Sequence, residues 1–190
     1  MIEHLRPALV LLGGLTLLTG VAYPLAITGV AQALLPGAAG GSLVRVDGTV
    51  VGSRLIGQNF TEPKWFHGRP SATSAAPYDA ANSSGSNLGP LSAVLIERVK
   101  ADAAALKAEA GVATVPADAV TTSASGLDPD ISPAFARLQV KRIAEARRIA
   151  PEKLVALIAA HTRGRDLGFL GEERVNLLAL NLALARLGPS

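Results

Sequence analysis

The chain of 190 residues lacks cysteine and has three histidines. Without cysteine it forms no disulfide, uses no thiolate nucleophile and offers no sulfur ligand to a metal. The histidines are His4, His67 and His161, and no two of them have the spacing of a metal-binding pair. A zinc site is therefore not expected.

The chain also has little excess of either charge. It carries 18 Lys and Arg against 15 Asp and Glu, for a net charge of +3. That surplus is small and scattered, which argues against nucleic acid as a partner. The glycine-rich stretch at residues 84–89 lacks the lysine of a phosphate-binding loop, and Gly-x-Ser-x-Gly does not occur in a strand–turn–helix setting. We therefore expect no active site of this chain's own, and a membrane-anchored hydrolase with His67 and His161 as its candidate residues remains as an alternative class.

One long segment has no charge at all, from residue 7 to residue 44. Its apolar part, residues 7–35, exceeds the roughly 20 residues that cross a bilayer and predicts a membrane helix kinked at Pro24. Ala31-Gln32-Ala33 resembles a signal cleavage site, but the apolar run is much longer than that of a cleaved signal. We interpret residues 1–6 as a short tail, 7–35 as an uncleaved anchor and 36–190 as one soluble domain.

Small or weakly polar residues recur along this anchor at steps of three or four. Such a stripe allows close approach of a second helix in lipid, although these residues are also common in membrane helices by composition alone. The flanking charges do not determine the orientation. The positions that predict packing against another membrane subunit are Gly13, Thr16, Gly20, Pro24 and Thr28.

The soluble region begins with β-like runs around Asp47-Gly48, a pair typical of hairpin turns. Residues 57–90 follow as an irregular segment rich in Gly, Pro, Ser and Asn that nevertheless holds four of the seven aromatic residues. Long ordered loops are often functional. The side chains predicted to contact a partner from this aromatic loop are Phe60, Trp65, Phe66, His67, Arg69 and Tyr78.

Helical spacing dominates residues 91–187. Helices are predicted over residues 91–110, 132–149, 151–161 and 175–187. Strands early in the soluble region, followed by helices in the rest of the sequence, indicate an α+β fold. The last helix is apolar nearly all round, and Asn176 and Asn181 on it would need hydrogen-bond partners. Asp128 and Asp130 precede the second helix, either as a cation site or as acids favouring its positive N-terminus. That helix carries a basic face, which is predicted to be solvated or, alternatively, to contact an acidic partner: Arg137, Lys141, Arg142, Arg147 and Arg148.

Several short stretches together are distinctive. They are LRPA (5–8), GSRLIGQNF (52–60), FHGRPSA (66–72), GSNL (85–88), TSASGLD (122–128), VN (175–176) and LNLAL (180–184). In these stretches the chain resembles the C subunits of bacterial Kdp-type potassium-transporting ATPases over nearly its whole length.

The resemblance implies a non-catalytic accessory subunit in a high-affinity ATP-driven potassium uptake complex. Its implied partners are a channel-like potassium-binding subunit, a P-type ATP-hydrolysing subunit and the lipid bilayer. The implied location is the bacterial cytoplasmic membrane, with a single span and an extracytoplasmic domain. The family is described as stabilising the complex and as a catalytic chaperone that raises ATP affinity.

Gln139 is the position that the resemblance associates with nucleotide. The implied extracytoplasmic placement conflicts with contact to cytosolic ATP, so an ordinary polar helix position is the favoured interpretation. No tightly bound cofactor is expected, and ATP would reach the chain only through the complex. The alternative function is a stand-alone, membrane-anchored ligand-binding or sensor domain.

Overall fold

The computed structural model describes residues 2–187, which divide into two compact units after Val51. The first unit contains a long apolar helix, α1 (Leu5–Leu34), a short helical turn, α2 (Pro36–Ala39), and the start of a β-hairpin formed by β1 (Leu43–Val46) and β2 (Thr49–Ser53). The division lies inside β2.

Helix α1 is the one helix among the described residues that is long and apolar enough to cross a membrane. Its 30 residues have a mean hydropathy of 1.9 in the most apolar window, and none of that window is buried. The length corresponds to about 45 Å, beyond the roughly 30 Å hydrocarbon core. The prediction of one N-terminal apolar helix is confirmed.

Near Pro24, where a kink was predicted, the helix contains a π-helical turn, which is wider than an α-helical turn. A π-helical segment, Leu18–Ala22, separates two α-helical parts, Leu5–Leu17 and Tyr23–Leu34. Proline lacks the N–H that would bond the carbonyl one turn back, and its ring crowds that carbonyl. The π segment therefore lies where the regular hydrogen-bond ladder is interrupted.

The hairpin turn agrees with the sequence. Asp47 (φ 49°) and Gly48 (φ 80°) both have positive φ, as a two-residue turn of this hand requires.

The second unit combines helices with a small sheet. Its helices are α3 (Ala93–Ala110), α4 (Pro133–Leu138), α5 (Val140–Arg147), α6 (Pro151–His161) and α7 (Leu177–Arg186). Three short strands, β3 (Asp130–Ile131), β4 (Thr162–Arg163) and β5 (Arg174–Asn176), form an antiparallel sheet in the order β3-β5-β4. Val175 is paired with both Ile131 and Thr162. The mixed α+β class is confirmed.

The sheet lies within the region that was expected to be only helical. Val175 and Asn176 were assigned to the last helix, and this was wrong: they belong to β5. Asn176 instead caps α7, because its side chain accepts a hydrogen bond from the N–H of Ala179. The predicted helix over residues 132–149 is likewise divided at Gln139 into α4 and α5.

The core forms where α6, α7 and β5 meet the aromatic loop. Leu154 and Ile158 are buried one turn apart on α6, as a core-facing helix requires. Helix α7 buries one wide face and leaves most of its other residues half-buried, which explains its nearly uniform apolar sequence. The largest fully buried side chains are Phe66, Ile143, Leu154, Ile158, Val175, Leu177, Leu180 and Leu184.

The aromatic loop is ordered by close backbone contacts as well as by its aromatics. At one crossing, the N–H of Ser84 donates to the carbonyl of Ser125 at 3.0 Å. Gly126 adopts φ +69° there, and a Cβ at this position would lie 2.7 Å from the Ser84 carbonyl oxygen and 2.8 Å from Thr73 Cγ2. A side chain at residue 126 is therefore excluded by both conformation and space.

We predict that Gly126→Ala lowers the free energy of unfolding by about 2 kcal/mol or more, because it adds backbone strain to a backbone clash. Gly164→Ala is the matched control, since nothing lies within 4 Å of its added Cβ. Chemical denaturation of the full chain in detergent measures both. Equal stability of the two variants would contradict the close crossing.

Candidate functional site

Two side-chain amides hold the backbone of consecutive residues in the aromatic loop. Asn181 Oδ1 accepts from the N–H of Phe66 at 2.9 Å, and Asn181 Nδ2 donates to the Phe66 carbonyl at 2.9 Å. Gln139 does the same for His67: Oε1 accepts from its N–H at 2.7 Å, and Nε2 donates to its carbonyl at 3.0 Å. We call these two residues the amide clamp.

The amide clamp solves a desolvation problem. Phe66 has no exposed surface, so its backbone polar groups have no access to water and need partners in the protein. A carboxamide presents one donor side and one acceptor side, and it can therefore replace the neighbouring strand that would otherwise satisfy an extended backbone. The expectation that Asn176 and Asn181 have hydrogen-bond partners is confirmed.

Arg142 extends the amide clamp along the loop. Its guanidinium donates to the carbonyls of Pro63 and Trp65 and to Gln139 Oε1, the last at 2.7 Å, and pairs with Glu109 of α3 at 2.8 Å. Burial lowers the pKa of Arg142, while Glu109 opposes that change. One side chain of α5 thus connects the loop to α3.

The prediction that the basic face is solvated is therefore wrong for two of its residues. Arg142 is engaged as described, and Arg147 donates to the carbonyls of Leu184 and Leu187 at the end of α7. Arg147 also lies over the ring of Trp65, at 5.5 Å from its centroid. Long-range contacts to carbonyls cannot be inferred from helical periodicity, so the sequence did not reveal these roles.

The second half of the loop is held by Arg69 and Tyr78. Arg69 Nη1 forms an ion pair with Asp128 Oδ2 at 2.6 Å, and the Tyr78 hydroxyl donates to the Arg69 carbonyl at 2.7 Å. Burial, aided by the charge of Asp128, raises the pKa of Tyr78 to about 12. Tyr78 is therefore a neutral donor throughout the physiological range.

Asp128 and Asp130, which precede α4, have roles other than those expected from the sequence. Asp128 pairs with Arg69, while Asp130 accepts from Asn176 and lies 3.5 Å from Arg174. The N-terminus of α4 is capped by Ser132, whose own hydroxyl and N–H bond the carboxylate of Asp118. Within residues 2–187, no group of three or more His, Asp or Glu is placed to hold a metal ion.

An open cleft of about 540 Å³ lies between the aromatic loop and α3. Four of the six residues predicted to contact a partner line it: Phe60, His67, Arg69 and Tyr78. Trp65 does not line the cleft, and Phe66 lies in the core. The structure thus brings most of these side chains together, and their contact with a partner stays a prediction.

Gln139 has little surface from which to bind a nucleotide. It is 3% exposed, and both of its polar atoms are bonded to the loop. The membrane stripe is different, because Gly13, Thr16, Gly20, Pro24 and Thr28 are all exposed along α1. Packing of the stripe against another helix stays a prediction.

These features define a class: a chain whose described residues contain one candidate membrane span, followed by a mixed α+β unit whose loop is fixed by internal hydrogen bonds. The profile of the family described as "KdpC: K+-transporting ATPase, c chain" matches residues 5–186. The chain therefore belongs to the KdpC family, and it has an accessory role in potassium uptake.

The sequences of individual relatives match this chain over both of its units. The chain is 62% identical over 198 residues to the "Potassium-transporting ATPase KdpC subunit" of Methylobacterium nodulans, covering 98% of each chain. It is 61% identical over 191 residues to the protein of the same name in Caulobacter vibrioides, covering 100% of this chain and 96% of the other. The protein of that name in Rhodopseudomonas palustris is 58% identical over 195 residues, covering 97% of this chain and 98% of its own.

We predict that Asn181→Leu lowers the free energy of unfolding by about 2–4 kcal/mol. The variant keeps the side-chain volume but leaves the buried N–H and carbonyl of Phe66 without partners. Urea denaturation of the full chain in detergent measures the loss. Asn59→Leu, at an exposed position of the same loop, serves as the control. A loss below about 0.5 kcal/mol for Asn181→Leu would show that the bonds to Phe66 contribute little.

We predict that His67 makes the fold sensitive to mild acid. Burial, reinforced by the charge of Arg142, lowers the pKa of His67, and its Nε2–H donates to the Glu62 carbonyl at 3.1 Å. The unfolded chain then binds a proton more readily than the folded one below about pH 6.5, so stability falls as the pH drops from about 7 to 5.5.

The thermal midpoint of the full chain, followed by Trp65 fluorescence, should therefore decrease over this pH range. His67→Gln retains a donor for the Glu62 carbonyl but cannot titrate, so its midpoint should decrease less. Parallel curves for the two proteins would contradict a role for His67 in this pH dependence.

Proposed function

We propose that this chain stabilises the assembly of a high-affinity, ATP-driven potassium uptake complex in the bacterial cytoplasmic membrane. The observation that carries the proposal is the family match, which extends over the apolar helix and the α+β unit together. In this proposal the partners are a channel-like potassium-binding subunit and a P-type ATP-hydrolysing subunit. Helix α1 crosses the bilayer once, and the α+β unit lies outside the cytoplasm.

The stiffness of the aromatic loop supports a role in subunit contact. A surface whose backbone is already fixed loses little conformational entropy when a partner binds it. The amide clamp, Arg142 and the Arg69–Asp128 ion pair fix the loop from three sides. The cleft lined by Phe60, His67, Arg69 and Tyr78 is thereby held open beside this preformed loop.

We also propose that the chain raises the ATP affinity of the hydrolysing subunit through subunit contacts. Gln139 takes part in this effect by positioning His67, since its polar atoms are bonded to that residue. Direct nucleotide contact would require both bonds to break and the side chain to leave its buried position. The alternative of an independent sensor domain predicts that the chain works without other subunits.

The anchor offers a direct test of assembly. A Cβ on Gly20 would meet only Thr16 Cγ2, at 4.0 Å, so Gly20→Leu is tolerated by α1 itself. We predict that this variant reduces recovery of the two larger subunits with the tagged chain by about tenfold, because bulk enters a close helix–helix contact.

Leu18→Ala is the control, since it removes bulk from a neighbouring exposed position of α1. Recovery is measured from membranes of potassium-limited cells. Equal recovery for both variants would remove the stripe from the interface, and a wild-type chain that extracts alone would disprove the accessory role.

A further inference from the structure

The connection between β4 and β5 ends in a tip that exposes three large apolar side chains. Leu167 is 82% exposed, Phe169 is 69% exposed and Leu170 is 49% exposed. We call these three residues the apolar tip. Single exposed leucines are ordinary on protein surfaces, but three large apolar side chains gathered within four residues of a turn are not.

The backbone of the tip favours residues other than leucine. Leu167 (φ 54°) and Gly168 (φ 82°) form a two-residue turn in which the N–H of Phe169 donates to the Asp166 carbonyl at 3.3 Å. Such turns favour Asn, Asp or Gly at the first of these positions, because a branched apolar side chain is strained at positive φ. Leu167 gains no burial within this chain that would offset the strain. The strained leucine therefore indicates a benefit outside the chain.

Ion pairs hold the base of the tip and neutralise its charges. Asp166 accepts from Arg163 at 2.8 Å and from Arg174 at 3.2 Å, and Arg165 pairs with Glu172 at 2.6 Å. The N–H and carbonyl of Asp166 also bond the carbonyl and N–H of Leu170, both at 2.9 Å. The apolar side chains are thus presented on a preformed support with its cationic groups paired.

We propose that the apolar tip inserts into an uncharged apolar socket on another protein subunit of the same complex. This inference rests on the proposed function. The neutral support fits an apolar pocket with a polar rim, which is the usual surrounding of an interface anchor. A segment that binds an anionic lipid surface would carry unpaired basic residues around its apolar side chains.

The test compares two variants of the full chain expressed with its complex. Leu167→Asn combined with Phe169→Ser removes the apolar surface, and Asn suits the positive φ of residue 167. Leu91→Asn is the control, because it removes a leucine that is 92% exposed in a turn elsewhere in the chain. Quantitative mass spectrometry then measures the ratio of partner subunits to tagged chain after extraction.

We expect the double variant to lower this ratio about tenfold or more, with an unchanged or higher thermal midpoint. The ratio for Leu91→Asn should remain that of the wild type. A wild-type ratio for the double variant would overturn the proposal. Absence of partner subunits with the wild-type chain would instead disprove the proposed function on which the inference rests.

A second measurement separates a protein socket from lipid. The chain has no cysteine, so Phe169→Cys allows a single polarity-sensitive dye to be attached at the tip. The dye should be shielded from iodide in the assembled complex and accessible in phosphatidylcholine–phosphatidylglycerol vesicles that contain only this chain. Equal shielding in those vesicles would identify lipid as the occupant and overturn the proposal.

Discussion

The amide clamp is the constraint on which the α+β unit depends. Phe66 fills the centre of the core, but its backbone belongs to an irregular loop that has no neighbouring strand at this point. Burial of an unpaired N–H and carbonyl would cost much of what the aromatic ring contributes. Asn181 on α7 removes that cost for Phe66, and Gln139, at the junction of α4 and α5, does the same for His67. The loop can therefore enter the core without forming a sheet.

The other contacts of the loop extend from this point. Arg142 bonds carbonyls just before Phe66, and Arg69 pairs with Asp128 just after it. Residues predicted from their aromatic or charged character to contact a partner therefore have internal roles as well. The surface that remains available is the open cleft beside them. This arrangement is consistent with a subunit that works by presenting a rigid shape.

Short sequence patterns predicted the structural elements whose formation depends mainly on neighbouring residues. The uncharged run predicted α1, Asp47-Gly48 predicted the hairpin, and Pro151 predicted the start of α6. The sheet could not be found in this way, because strands of two or three residues show no alternation and Val175 lies in an apolar run of helical character. Helical periodicity also continued through Gln139, where the structure divides α4 from α5.

The site was only partly accessible to the same reasoning. A polar residue on an apolar helix needs a partner, and this argument correctly singled out Asn181. It could not identify Phe66 as that partner, because the two residues are 115 positions apart. The carbonyl contacts of Arg142 and Arg147 were missed for the same reason. Their basic character resembles that of any solvated helix face until the tertiary structure is known.

Native-state hydrogen exchange of the full chain in detergent tests the central claim most directly. If the amide clamp holds the loop in the core, the amides of Phe66 and His67 should exchange as slowly as those in the middle of α7, and only through global unfolding. If they exchange as fast as the exposed amides near Gly168, the loop opens independently of the core, and the clamp is not the constraint described here.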